Sequence, residues 1–78
     1  MRPLTDDEVV LLQHATSWTT GMDLLAAVRA ERPWWKRLWL HAGWLYPTLY
    51  RLEIEGRLQA QWQDGPYPRR RVYRRMPL

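Results

Sequence analysis

At 78 residues the chain has room for one small domain, which buries only about 60% of its unfolded surface; ten aromatic residues, six of them Trp, offset that handicap. It contains no Cys, which excludes a disulfide or thiolate metal framework. It also lacks an apolar run of about 20 residues and a signal-like N-terminus, so a soluble cytoplasmic protein with no membrane partner is expected. The formal charge of +4 sits at one end: residues 57–78 hold six arginines against one acid, and residues 1–56 hold six basic and seven acidic side chains.

Thr5-Asp6-Asp7-Glu8 is a capping box with acids in the first turn, so a first helix is expected from Thr5. Its inner face reads Val9, Leu12, Ala15 and Thr16, with Leu11 close by. A second start stands at Thr20, where Gly21 and Met22 lead to Asp23 in a position to reach back to the cap. Leu24, Leu25 and Val28 then face inward, and Arg29 and Glu31 face solvent. Pro33 ends this helix, because the residue ahead of a proline is pushed out of helical geometry.

Residues 33–41 are the unusual segment. Pro33 can open a short extra helix near residues 33–40, with Trp35, Leu38 and Trp39 on one side and Lys36 and Arg37 exposed. Two readings of Trp34, Trp35 and Trp39 stand open. They plug the core of a domain too small to manage otherwise, or they form an apolar patch for a partner chain or a flat aromatic ligand.

A third helix is expected over residues 43–56. Leu45, Leu49, Leu52 and Gly56 recur at spacings of four, three and four, which stacks them on one face. Pro47, Tyr50, Arg51 and Ile54 point the other way, with Trp44 and Thr48 toward one border. Pro47 near the N-terminus loses little by lacking an N–H, which puts the start near Ala42 to Trp44, and Gly56 supplies the φ > 0 stop.

A hairpin follows. Leu58-Gln59-Ala60-Gln61-Trp62-Gln63 alternates apolar and polar, with Leu58, Ala60 and Trp62 on one face. Asp64-Gly65-Pro66-Tyr67-Pro68 is turn chemistry, and Arg71-Val72-Tyr73-Arg74-Arg75-Met76 can pair back. The expected fold is mainly α with a small β-hairpin: a winged helix-turn-helix of three helices and a two-stranded wing, in one domain spanning 1–78. Arginines clustered on such a wing are an electrostatic footprint for phosphate, since their binding releases counterions.

These residues carry a resemblance. The run Gly43-Trp44-Leu45-Tyr46-Pro47-Thr48-Leu49-Tyr50-Arg51-Leu52-Glu53-Ile54-Glu55-Gly56 resembles the recognition helix of PadR-like transcriptional regulators, which reads Gly-Thr-Leu-Tyr-Pro, then Leu, a basic residue, Leu-Glu and Gly. Trp44 stands where Thr or Ser is usual. Thr20-Gly21-Met22-Asp23-Leu24-Leu25 looks like the family's opening of helix two, and Pro68-Arg69-Arg70-Arg71-Val72-Tyr73-Arg74 looks like its wing strand. The resemblance spans most of residues 9–75. It implies a DNA-binding regulator, more often a repressor, with helix 43–56 in the major groove and the basic wing 58–76 on the backbone or in the minor groove.

The residues expected at DNA are Trp44, Tyr46, Thr48, Tyr50 and Arg51 on the helix and Arg69, Arg70 and Arg71 on the wing. PadR-like proteins continue into C-terminal helices that form the dimer, and this sequence stops at Leu78. A homodimer would then have to form elsewhere, and Trp34, Trp35 and Trp39 are the interface candidates. Two alternatives remain: a winged helix used as a protein-interaction module through that patch, and a small RNA binder using Tyr67, Tyr73 and the arginines. Catalysis has little to rest on. His14 and His41 have no metal spacing, Glu53 and Glu55 do not face each other on a helix, and no phosphate loop or nucleophile elbow occurs, so no cofactor is expected.

Overall fold

The computed structural model describes residues 2–65 and 69–77. Helix α1 spans Asp6–His14, strand β1 Thr19–Thr20, helix α2 Gly21–Glu31 and helix α3 Ala42–Ile54; strands β2 (Leu58–Gln63) and β3 (Arg70–Arg75) follow. Between α2 and α3 lies one 3-10 turn, Lys36–Leu38.

Each helix begins where its local chemistry directs. The Thr5 hydroxyl accepts from the Glu8 N–H and the Glu8 carboxylate accepts from the Thr5 N–H, so the capping box of α1 is closed in both directions. Thr20 caps α2 by accepting from the Asp23 N–H. At α3 the cap is His41, whose Nδ1 accepts from the Gly43 N–H at 3.0 Å, a role its sequence position did not suggest. Pro47 lies inside α3 rather than in its first turn, and its missing N–H leaves the carbonyl of Gly43, four residues back, without that helical partner. Helix α3 stops at Ile54, and Gly56 adopts φ +76°, the left-handed geometry that releases the chain into β2.

Leu45, Leu49 and Leu52 of α3 are buried with Leu24, Leu25 and Val28 of α2, Leu58 of β2 and Tyr73 of β3. Each full burial contributes about 2 kcal/mol. On α1 the buried face is Glu8 and Leu11, continued by Ala15 at the helix cap; Leu12 is only half-buried, Val9 is exposed and Thr16 lies beyond the helix. The inner face is therefore rotated from the expected one: Leu11, not Val9, is central, and the adjacent buried position is taken by a carboxylate that has ionic partners.

The wing is a three-stranded antiparallel sheet in the order β1-β3-β2, one strand more than the expected hairpin. Thr19 pairs with Tyr73 and Thr20 with Val72, so the residue that caps α2 also closes the sheet edge. On the other side Ala60 pairs with Tyr73 and Trp62 with Arg71. The second strand of the hairpin begins at Arg70, one residue earlier than expected, and ends at Arg75. Of the expected turn, Pro66, Tyr67 and Pro68 lie outside the described residues.

The tryptophan segment does not plug the core. Trp34 and Trp39 are 74% and 72% exposed, and Trp35 and Leu38 are also exposed; Leu40 is the side chain this segment sends inward. The segment is nonetheless pinned. Arg29 donates to the carbonyls of Arg37 and Leu40, and Arg37 Nε donates back to the carbonyl of Arg29. Arg32 and Lys36 both reach Asp7 of α1. Arg29, expected to face solvent, is thus the fastener between α2 and the connector.

Candidate nucleic-acid interface

The free face of α3 carries Tyr46, Pro47, Tyr50, Arg51 and Ile54, all exposed. Two of the helix residues expected at DNA sit differently. Trp44 is half-buried and packs against the core. Thr48 is 2% exposed, because it follows Leu45 and precedes Leu52 on the buried side of the helix; its side chain faces the interior and cannot reach a base edge.

Arg51, the single cation of α3, has its Nη2 3.3 Å from Glu8 Oε2. That carboxylate is the centre of a network: Arg2 donates to both its oxygens at 2.8 and 3.0 Å, and also to Glu55 at 2.7 and 2.8 Å. Arg57 donates to the Arg2 carbonyl and lies 3.6 Å from Glu55. The Arg2 hydrogen bonds hold the Glu8 carboxyl down to about 2, against the opposing effect of burial. Glu55 is lowered for the same first cause. The network ties the N-terminal segment and α1 to the end of α3, which explains how a carboxylate at 1% exposure is tolerated.

A concave cleft of about 450 Å3 opens between α3 and the wing. Its walls are Thr20 to Asp23 at the start of α2, Tyr46 of α3, and Arg69, Arg70, Arg71 and Tyr73 at β3. Gly21 forms its floor: a Cβ there would stand 3.2 Å from Leu49 Cδ1 and 3.7 Å from Tyr46 Cε1, so this glycine lets α2 approach α3. Three wing arginines and the amide-rich, positive start of α2 converge on one hollow, which suits an anion.

The wing arginines are not equivalent. Arg70 is exposed. Arg69 stacks on the Trp62 ring at 5.2 Å and lies 4.0 Å from fully exposed Asp64. Arg71 is half-buried, stacks on Trp62 at 5.5 Å and donates to Glu53 of α3 at 2.9 Å. Farther along, Arg74 lies 4.6 Å from the Trp18 ring and donates to Gln59. Burial raises the Tyr73 hydroxyl above its usual value, so it stays neutral in the cleft wall.

The structure therefore brings together Tyr46 with Arg69, Arg70 and Arg71, and sets Tyr50 and Arg51 on the open side of the same helix. Sequence reasoning missed Thr20 to Asp23 as a cleft wall, and Trp62 and Glu53 as partners of the wing arginines. The Thr20 cap signal locates the start of a helix but not what lies opposite. Among the described residues no group of three His, Cys, Asp or Glu is placed to hold a metal ion, and no helix is long and apolar enough to cross a membrane.

Three helices with the third exposed, followed by a wing that walls a basic cleft, define a winged helix-turn-helix. No family model matches the chain, and no curated protein matches it. Among solved structures it is similar to a PadR family transcriptional regulator from Eggerthella lenta DSM 2243, with 27% identity, a TM-score of 0.68 and 87% of this chain covered. This chain spans 58% of that chain's length. The PadR-like resemblance of helix 43–56 thus extends to the fold.

Proposed function

We propose that this chain is a sequence-specific DNA-binding transcriptional regulator of the cytoplasm, acting as a repressor by occluding a promoter. The observation that carries this reading is the basic cleft walled by α3, the start of α2 and the wing. Helix α3 enters the major groove with Tyr46, Tyr50 and Arg51 toward base edges or flanking phosphates, and Trp44 at the rim. Arg69 and Arg70 lie along the backbone or in the adjacent minor groove. The likeness to a solved PadR family regulator supports the same reading.

Selection from a random duplex pool tests it. A recovered consensus, bound with strong salt dependence and not displaced by single-stranded RNA, is the expected result. Displacement by single-stranded RNA would favour the stacking-based alternative, and salt-insensitive or absent duplex binding would favour a protein-interaction module.

A second copy is part of the reading. Specific binding at physiological salt usually draws on two half-sites. Trp34, Trp35 and Trp39 expose roughly 300–500 Å2 of aromatic surface in one pinned segment, the size of the largest apolar patch on a typical monomer and about half of one side of a standard interface. We assign this patch to a homodimer contact. The consensus is then expected to be palindromic.

A further inference from the structure

Arg71 is the wing arginine that the fold ties to α3. It stands directly opposite Trp62 in the β2–β3 register, on the sheet face that carries Tyr73 into the core. From there its guanidinium crosses to α3, donating to Glu53 Oε1 at 2.9 Å while lying over the Trp62 ring at 5.5 Å. Arg69 stacks on the same ring at 5.2 Å, so one indole carries two guanidinium groups. A cation already paired with a carboxylate gains little from a phosphate, because it must give up one anion to bind another, leaving a carboxylate without its partner. Arg70, on the opposite sheet face, has no such partner among the described residues.

We propose that Glu53, Arg71 and Trp62 form a brace that sets the wing against α3 and withdraws Arg71 from phosphate contact, leaving Arg69 and Arg70 as the wing's phosphate-binding cations. This rests on the DNA-binding reading above. Glu53 and Trp62 are then positioning residues: they act on the nucleic acid through the wing's placement and through which arginines are free. The brace also pairs the Glu53 carboxylate, which beside the wing arginines would otherwise repel an anionic ligand.

Two measurements test the brace, one without nucleic acid. In 15N NMR of the free protein, the Arg71 guanidinium is expected to rotate slowly in the wild type and freely in Glu53→Gln. Free rotation in the folded wild type would overturn the brace. The second measurement is the salt dependence of binding to a 20-bp random-sequence duplex. Arg70→Gln is expected to flatten the log–log slope by about 0.9, which is roughly a 3.5-fold smaller loss of affinity between 50 and 200 mM salt. Arg71→Gln is expected to leave that slope unchanged, and Glu53→Gln to steepen it as Arg71 is freed. Equal flattening by Arg70→Gln and Arg71→Gln would make Arg71 a phosphate contact and overturn the assignment. Should the wild type bind no duplex at all, the DNA-binding reading fails, and the NMR arm still decides whether the brace exists.

Discussion

Arg51 on the free face of α3 lies 3.3 Å from Glu8 of α1, so the only cation on that helix is shared with a buried carboxylate. Arg2 and the Thr5 N–H satisfy the same carboxylate independently, which lets Arg51 turn outward without stranding a buried charge. Arg51→Ala is therefore expected to keep the fold and to weaken binding to a selected duplex by about 1–3 kcal/mol, if this side chain reads a base. Titration by fluorescence anisotropy, with circular dichroism as the folding control, measures it. Unchanged affinity in a folded variant would remove α3 as the reader.

The wing should act without regard to sequence. Replacing Arg69 and Arg70 together by Gln is expected to lower affinity for all duplexes alike and to flatten the salt slope by roughly 0.9 for each phosphate left without its arginine. Weakening confined to one sequence would show instead that the wing reads bases.

Trp34 and Trp39 are mostly exposed, so truncating them removes little packing within one chain. Trp34→Ala with Trp39→Ala is expected to shift thermal stability of the monomer by less than about 1 kcal/mol while abolishing a dimer seen by sedimentation at micromolar concentration. A wild-type chain that sediments as a clean monomer would leave dimerisation to the DNA, and unfolding of the variants would give the tryptophans a structural role within the chain.

Acid should loosen the α1–α3 contact. The Glu8 carboxyl is lowered from its ordinary 4.5 to about 2 in the folded chain, so its stabilisation is complete above about pH 4.5 and is lost as pH falls toward 2. The decline amounts to at most about 3 kcal/mol, and Glu55 shifts in the same direction. Thermal melts between pH 7 and pH 2 are expected to show it. In Glu8→Gln the overall stability is lower and the acid-dependent part smaller; an unaltered pH profile would mean that Arg2 does not hold Glu8 in solution.

Local chemistry made much of this protein readable from its sequence. Thr5 and Thr20 announce two helix starts, Pro33 and Gly56 two stops, and the spacing of Leu45, Leu49 and Leu52 one buried face, because each signal acts within a turn or two of its own residue. The Leu-Tyr-Pro…Arg-Leu-Glu…Gly spacing carried the family likeness for the same reason. What depends on residues far apart in the chain was decided only by the tertiary structure. Whether Thr48 lies at a border or inside is set by what packs over that side of α3, and whether the tryptophans fill the core depends on Leu40 having already done so. The division of the wing arginines into free and bound follows from a strand register that places Arg71 beside Trp62 and across from Glu53, eighteen residues earlier. An arginine's identity gives its charge; only the approach of a second element determines whether that charge is already neutralised.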